Sequence, residues 1–181
     1  MTDIDPSVFP SKPETPKLVP VFVMNFKLKE PEPVFSNPEL SKALTLATVV
    51  NGEIKTVKNE LGLEFDVSRV VGYDNLTSDL HRDVTLLDCR CYGRLPNGKG
   101  VYIKYPGVVH NNEPTVNVQL GKTKTSTFEE GYVTCNPSFE FDGGIEDKYR
   151  WVLRENFIGK GRFVRGNSND LYVQYYIYIL R

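Results

Sequence analysis

The sequence predicts an all-β protein of about ten short antiparallel strands, arranged as a barrel or a sandwich. Aromatic residues make up 12% of the 181 residues, with ten Tyr and ten Phe against two Met, and this bias favours pleated strands over helices. All fourteen glycines lie between Gly52 and Gly166, where they repeatedly end short apolar runs, as turn residues do. No amphipathic helix longer than a turn or two separates these runs.

A short N-terminal arm and one domain are predicted along the chain. Eight of the twelve prolines fall within the first 38 residues, and proline disfavours both regular helix and central strand. We therefore expect residues 1–17 to form a Pro-rich arm and residues 18–181 to form a single barrel domain, a length that one hydrophobic core suits.

Alternation of apolar and polar residues marks the individual strands. Leu18 to Leu28 has the period of a half-buried strand. Asn51 and Gly52 separate two apolar runs and are predicted to form a two-residue hairpin turn. The other predicted strands are Leu44 to Val50, Glu53 to Lys58, Leu63 to Tyr73, Arg82 to Tyr92, Gly100 to Val109, Thr115 to Leu120, Tyr132 to Phe141, Tyr149 to Ile158 and Leu171 to Leu180.

Charge and composition exclude several classes of function. Lys and Arg number 22 against 23 Asp and Glu, a net charge of -1, so bulk charge does not attract nucleic acid or a membrane. The N-terminus lacks the basic start and apolar run of a signal peptide, so we expect a cytoplasmic protein. Cys89, Cys91 and Cys135 fit free thiols, and neither histidine has a partner at metal-ligand spacing. We therefore expect no metal and no cofactor.

One predicted hairpin supplies charged candidate residues. If Asn97 and Gly98 form a two-residue turn, Arg90 lies opposite Tyr105, with Asp88 on the same face. That face is the more apolar one, so it is predicted to point inward. An uncompensated charge in the interior costs several kcal/mol. Asp88 and Arg90 therefore either pair with each other or with the main chain, or line a ligand cavity together with Tyr105.

Several short motifs, taken in order, carry a resemblance to a known family. They are Gly72-Tyr73-Asp74, Leu87-Asp88-Cys89-Arg90-Cys91-Tyr92, Pro137-Ser138-Phe139-Glu140, Tyr149-Arg150-Trp151-Val152-Leu153, Phe157-Ile158-Gly159-Lys160-Gly161-Arg162 and Val173-Gln174-Tyr175-Tyr176-Ile177-Tyr178. Over about residues 18–180 the chain resembles the domain-of-unknown-function family numbered 3237. The resemblance implies a small closed antiparallel β-barrel with a central cavity, lipocalin-like or streptavidin-like in general shape. For some relatives it implies a place in secondary metabolism.

The residues that match the family's polar pattern are Asp74, Asp88, Arg90, Glu140 and Trp151. The chain departs from that pattern at two positions: Leu153 stands where the family usually has Asn, and Tyr73 replaces a small residue.

The candidate catalytic residues are Asp88, Arg90 and Glu140. A fixed guanidinium can hold an oxyanion, and a carboxylate can transfer a proton. Asp74, Tyr105 and Trp151 are the candidate ligand-binding residues, and no metal ligand is predicted.

Two classes of function follow. The first is a cofactor-independent acid–base enzyme, of isomerase, cyclase or lyase type, acting on a hydrophobic oxygenated small molecule inside the barrel. The second is a non-catalytic small-molecule-binding or carrier barrel. A catalyst needs at least two titratable groups at the ligand, and the predicted inward charges favour it. The last strand, Leu171 to Leu180, is apolar on one side and aromatic on the other, a pattern that allows a homodimer.

Overall fold

Ten strands and two short helices make up the part of the chain that a computed structural model describes, residues 15–181. The strands are β1 (Leu18–Leu28), β2 (Glu32–Asn37), β3 (Lys42–Thr56), β4 (Ser68–Asp79), β5 (Val84–Arg94), β6 (Gly100–His110), β7 (Val133–Cys135), β8 (Ser138–Phe141), β9 (Phe157–Arg165) and β10 (Leu171–Leu180). An α-helix, α1 (Glu113–Gln119), follows β6, and a 3-10 helix (Asp147–Leu153) precedes β9. The predicted arm, residues 1–17, lies outside the described residues except for its last three positions.

Eight strands form a closed antiparallel barrel, in the order β1-β10-β9-β7-β6-β5-β4-β3, and β3 returns to pair with β1. The two remaining strands are additions, β2 pairing with β3 and β8 pairing with β6. The predicted all-β barrel is therefore confirmed.

The barrel closes because β3 pairs with two different neighbours. Its first half pairs with β4, and its second half pairs with β1. Asn51 and Gly52, predicted as a hairpin turn, lie inside this continuous strand, next to a register irregularity where Lys27 and Leu28 of β1 meet β3. A bulge of this kind bends a strand from one neighbour towards the next. The Asn-Gly pair therefore marks a barrel corner, and the predicted hairpin is wrong.

One predicted strand and the first half of another are helical in the structure. The stretch 115–120 alternates like a strand, but Asn112 caps a helix there by accepting the backbone N–H of Thr115, and Pro114 occupies the first turn. Both features favour a helix start over an extended chain. The first half of the stretch 149–158 is the 3-10 helix. Within residues 15–181, neither helix is long and apolar enough to cross a membrane.

Aromatic side chains fill one end of the barrel. Phe65 lies at the centre of this aromatic plug, with its ring 4.9 Å from that of Phe139 and 5.5 Å from that of Phe22. Phe157 packs against both of these neighbours, at 5.4 Å from Phe22 and 5.5 Å from Phe139. The two pairs that involve Phe139 are edge to face and the other two are tilted, and edge-to-face pairs stabilise a core beyond simple burial. The plug leaves only the other end of the barrel to hold a cavity.

The β5–β6 hairpin turns through three residues rather than two. Leu95 N–H donates to the Lys99 carbonyl at 2.9 Å, and Gly98 N–H donates to the Leu95 carbonyl at 2.8 Å. Gly98 has φ of +83°, the left-handed conformation that ends a three-residue hairpin loop and that glycine adopts without steric cost.

This loop shifts the pairing of the hairpin by one residue from the prediction. Arg90 lies opposite Lys104, and Tyr105 lies opposite Cys89. Because side chains alternate between faces, a shift of one residue exchanges the inner and outer sets. The prediction that Asp88 and Arg90 point into the barrel is therefore wrong, whereas Tyr105 does point inward and is buried.

Candidate functional site

A cavity of about 550 Å³ occupies the barrel at the end opposite the aromatic plug. This volume lies in the range of sites that enclose a small molecule. Its walls are mainly aliphatic or aromatic, formed by inward side chains that include Leu76, Leu87, Val109, Phe163, Leu171 and Val173. The alternation of the strands places these side chains inside, so the cavity is a continuation of the barrel core.

Within residues 15–181, Asp74 supplies the one buried carboxyl group of the cavity wall. Asp74 lies on β4 between Ala47 of β3 and Cys89 of β5, and only 7% of its surface is exposed. Its Oδ1 accepts the backbone N–H of Asp88 at 3.0 Å. Among the described residues Oδ2 has no hydrogen-bond partner, which leaves this oxygen available to a ligand.

Burial raises the pKa of Asp74 to about 7. The hydrogen bond from the Asp88 N–H acts in the opposite direction because it favours the charged form, and the nearby Asp88 carboxylate raises the pKa further. Near neutral pH the protonated and ionised forms of Asp74 are therefore both populated. A group in this condition can both accept and return a proton.

Two tyrosines line the cavity together with Asp74. The rings of Tyr105 and Tyr175 pack edge to face, with centroids 5.8 Å apart. Burial raises the pKa of both phenols well above the ordinary value, and the negative charge of Asp74 acts in the same direction. Both therefore remain neutral O–H groups, which can donate to an oxygen atom of a ligand.

The cysteines are free and buried. Burial raises the pKa of Cys89 and Cys135 well above the ordinary value. They are therefore protonated at neutral pH, and a protonated thiol is a poor nucleophile. No group of three or more metal-ligating side chains comes together within the described part of the chain.

Arg165 holds the mouth of the cavity together. Its buried guanidinium lies at the end of β9, where Nε donates to the Val118 carbonyl at 2.7 Å and Nη2 donates to the Gln119 carbonyl. Nη1 donates to the Asn169 carbonyl at 2.9 Å and forms an ion pair with Glu30 at 3.2 Å. A cation near the carbonyls that end a helix is favourable. One side chain thus joins α1 to Glu30, which follows β1, and to Asn169, which lies between β9 and β10.

The predicted catalytic pair lies on the outer surface of the barrel. Arg90 Nη2 and Asp88 Oδ1 are 3.1 Å apart, with 41% and 55% of the respective side chains exposed. Arg90 Nη1 also donates to the Tyr102 hydroxyl at 3.1 Å. The side chains do pair, which was one of the two predicted alternatives, but on the solvent side. An exposed ion pair of this kind contributes at most about 1 kcal/mol to stability.

Glu140 and Trp151 do not reach the cavity either. Glu140 lies on β8 with 61% of its side chain exposed, and it binds Lys104 Nζ at 2.7 Å. Trp151 packs against the aromatic plug and donates its indole N–H to the Glu64 carbonyl at 3.1 Å. Of the predicted site residues, only Asp74 and Tyr105 line the cavity.

Sequence reasoning missed several polar residues of the cavity wall. Tyr175 lies two residues from both Val173 and Ile177 in the last strand, so period-two alternation indicates an inward position for it. Ser78, Thr85 and Asn111 also line the cavity. Thr85 is an even number of residues from Cys89 and Cys91 and therefore lies on the same, inner face of β5. The correct hairpin register would have predicted this position.

The fold is shared with solved structures from bacteria and a fungus. A conserved protein of unknown function from Rhodopseudomonas palustris is 16% identical, with a TM-score of 0.66 over 94% of this chain and 100% of that chain. A beta-barrel like protein from Acinetobacter baumannii AYE is 17% identical, with a TM-score of 0.65 over 94% and 99% of the two chains. An enzyme from Penicillium herquei is 14% identical, with a TM-score of 0.57 and the same coverage.

No curated protein sequence matches the chain. The model of one family does match, over residues 16–180, and that family is described as "Protein of unknown function (DUF3237)". The match covers nearly the whole barrel and agrees with the resemblance that the motifs carry. The chain therefore belongs to the DUF3237 family.

Proposed function

We propose that the protein is a cofactor-independent acid–base enzyme, of isomerase, cyclase or lyase type, that acts on a hydrophobic oxygenated small molecule held in the barrel. The observation that carries the proposal is Asp74, a carboxyl group whose pKa burial raises to about 7 inside a largely apolar cavity. Shifts of this size in a concave site are typical of groups that transfer protons.

The chemistry follows from Asp74 and the two tyrosines that line the cavity with it. The ionised carboxyl group takes a proton either from a ligand carbon next to a carbonyl group, so that the electron pair of the broken C–H bond moves onto the carbonyl oxygen, or from a ligand hydroxyl group, whose oxygen keeps the electron pair. The O–H groups of Tyr105 and Tyr175 donate to the resulting oxyanion. Asp74, now protonated, returns the proton to a different atom of the ligand, so the reaction needs neither an oxidant nor a reductant.

The alternative is a carrier that binds the same class of molecule without converting it. The aliphatic part of the cavity wall favours this function, because a carrier needs mainly an apolar binding pocket. The position of Asp74 favours the enzyme, since a buried carboxyl group is costly for a protein that only binds. The related structure described as an enzyme from Penicillium herquei also supports a catalytic function.

The experiment compares wild type with Asp74→Asn on a panel of phenolic and polyketide-like compounds, with conversion followed by mass spectrometry. We expect wild type to convert at least one compound, with a rate that depends on a group of pKa about 7. Asp74→Asn keeps the size of the side chain but cannot exchange a proton, so turnover is expected to fall by roughly 100-fold or more.

Glu140→Gln is the matched control, because it neutralises a carboxylate on the outer surface. Its turnover is expected to stay within about twofold of wild type. If the Asp74→Asn variant converted the compounds at the wild-type rate, Asp74 would be excluded as the proton-transfer group. Binding of panel compounds without conversion of any of them would favour the carrier instead.

The cellular setting rests on the sequence. A place in secondary metabolism, a cytoplasmic location and a homodimer formed through the outer face of β10 all stay predictions. Bulk charge continues to predict that the protein's partner is a small molecule rather than a nucleic acid.

A further inference from the structure

A second polar group lines the cavity wall, nearer the mouth than Asp74. It consists of Ser78 on β4, Thr85 on β5 and Asn111 after β6, and all three side chains line the cavity. Ser78 Oγ and Thr85 Oγ1 lie 2.9 Å apart, and Thr85 Oγ1 donates to Asn111 Oδ1 at 3.1 Å. The three side chains therefore form one continuous hydrogen-bonded chain, which we call the hydroxyl–amide chain.

The direction of its hydrogen bonds leaves an unused hydrogen-bonding group at each end of the hydroxyl–amide chain. A threonine hydroxyl carries one proton, and Thr85 donates it to Asn111, so the Ser78 hydroxyl must donate to Thr85. An acceptor at Ser78 Oγ and a donor at Asn111 Nδ2 are then left without a partner among the described residues. If the Asn111 amide is turned over, the direction of the chain reverses, and its ends still offer one donor and one acceptor.

Mainly apolar side chains separate the hydroxyl–amide chain from Asp74. Ser78 is four residues beyond Asp74 on the same face of β4, which corresponds to about 13 Å along a strand. Thr85 lies directly opposite Ser78, and Cys89 lies directly opposite Asp74, so the same spacing holds on β5. Leu76 and its partner Leu87 fill the wall between the two positions, and Thr45 of β3 lies on the other side of Leu76. The cavity therefore has a polar group at each end and a mainly apolar wall between them.

We propose that the cavity takes an elongated ligand with an oxygen function at both ends. One end lies at Asp74, and a hydroxyl or carbonyl group on the order of 10 Å away binds the hydroxyl–amide chain. A hydroxyl suits the hydroxyl–amide chain best, since it can donate to the free acceptor at one end or accept from the free donor at the other. The inference rests on the proposed function and adds a specificity-determining site to it. The hydroxyl–amide chain selects ligands that carry an oxygen at the end far from Asp74, and it fixes the direction in which they lie in the barrel.

Two probes that differ by one hydroxyl test this directly. They are biphenyl hydroxylated at both para positions and biphenyl hydroxylated at one, and the rings of the diol hold its oxygens at roughly the required spacing. Wild type is expected to bind the diol about five- to tenfold more tightly in calorimetric titrations, the gain that one or two net hydrogen bonds give. Ser78→Ala and Thr85→Val are each expected to abolish this preference and to leave the affinity for the mono-hydroxylated probe within about twofold.

Thr77→Val is the matched control, because Thr77 lies on the outer face of β4 next to Ser78, and it is expected to keep the preference for the diol. Equal affinities for the two probes in wild type, or an unchanged preference in Ser78→Ala and Thr85→Val, would overturn the second polar site and leave the role of Asp74 standing. A wild-type protein that binds neither probe would contradict both this site and the proposed function.

Discussion

Replacing Asp74 with Asn is expected to stabilise the protein above neutral pH. Burial raises the pKa of Asp74 to about 7 from an ordinary value of 3.8. Between about pH 4 and pH 7 the folded protein therefore keeps a proton that the unfolded chain has released, so stability falls as the pH rises through this interval. The full loss is on the order of 4 kcal/mol. Asn has no charge to bury, and its side-chain oxygen can still accept the Asp88 N–H.

Urea unfolding at about pH 5 and about pH 8 measures this difference. Wild type should lose stability between the two conditions, whereas Asp74→Asn should lose much less and be the more stable protein at the higher pH. Asp83→Asn, which changes an exposed carboxylate in the turn before β5, should follow wild type. If the stability of Asp74→Asn fell with pH as steeply as that of wild type, the raised pKa would be contradicted.

Replacing Gly72 with Ala is expected to prevent the barrel from folding normally. A Cβ atom at this position would lie 2.2 Å from the Arg90 carbonyl oxygen and 2.6 Å from the Cys91 Cα. These are backbone atoms of the paired strand, so they cannot move away without breaking the β4–β5 ladder. The expected loss exceeds about 4 kcal/mol. The same close approach of β4 and β5 brings the Asp88 N–H to Asp74, so any folded fraction should have a disturbed site.

Gly143→Ala is the control for this substitution. A Cβ atom at Gly143 would meet no atom within 4 Å, and the change should shift stability by less than about 0.5 kcal/mol. Thermal melting followed by circular dichroism compares the two variants with wild type. Similar melting temperatures for Gly72→Ala and Gly143→Ala would show that β4 and β5 are less closely packed than the structure indicates.

The all-β class could be predicted from the sequence because period-two alternation is strong in most strands. The apolar side of the last strand, for example, is buried from Leu171 to Ile179. The inner face of the charged hairpin could not be predicted, because a loop that contains Asn97 and Gly98 suits both a two-residue and a three-residue turn. One residue of loop length decides whether Asp88 points into the barrel or into solvent.

Asp74 was found through the family motif and not through any pattern of hydrophobicity. The inner face of β4 carries Gly72, Asp74 and Ser78 as well as Leu76, while Tyr73 lies on the outer face, so the alternation of apolar and polar residues is weak in this strand. A strand that lines a polar part of a cavity breaks the rule that identifies core residues. The position of the candidate site residues is therefore the part of the fold that sequence periodicity predicts least well.

The titration of the Asp74 carboxyl group tests the central claim most directly. Carbon-13 NMR of protein labelled at the aspartate carboxyl carbons follows each carboxyl group separately, and Asp74→Asn identifies the resonance by its loss. The Asp74 resonance should titrate with a pKa of about 7, and an added diol probe should perturb it. An Asp74 resonance that titrates near the ordinary value of 3.8 would contradict a proton-transferring carboxyl group in this barrel.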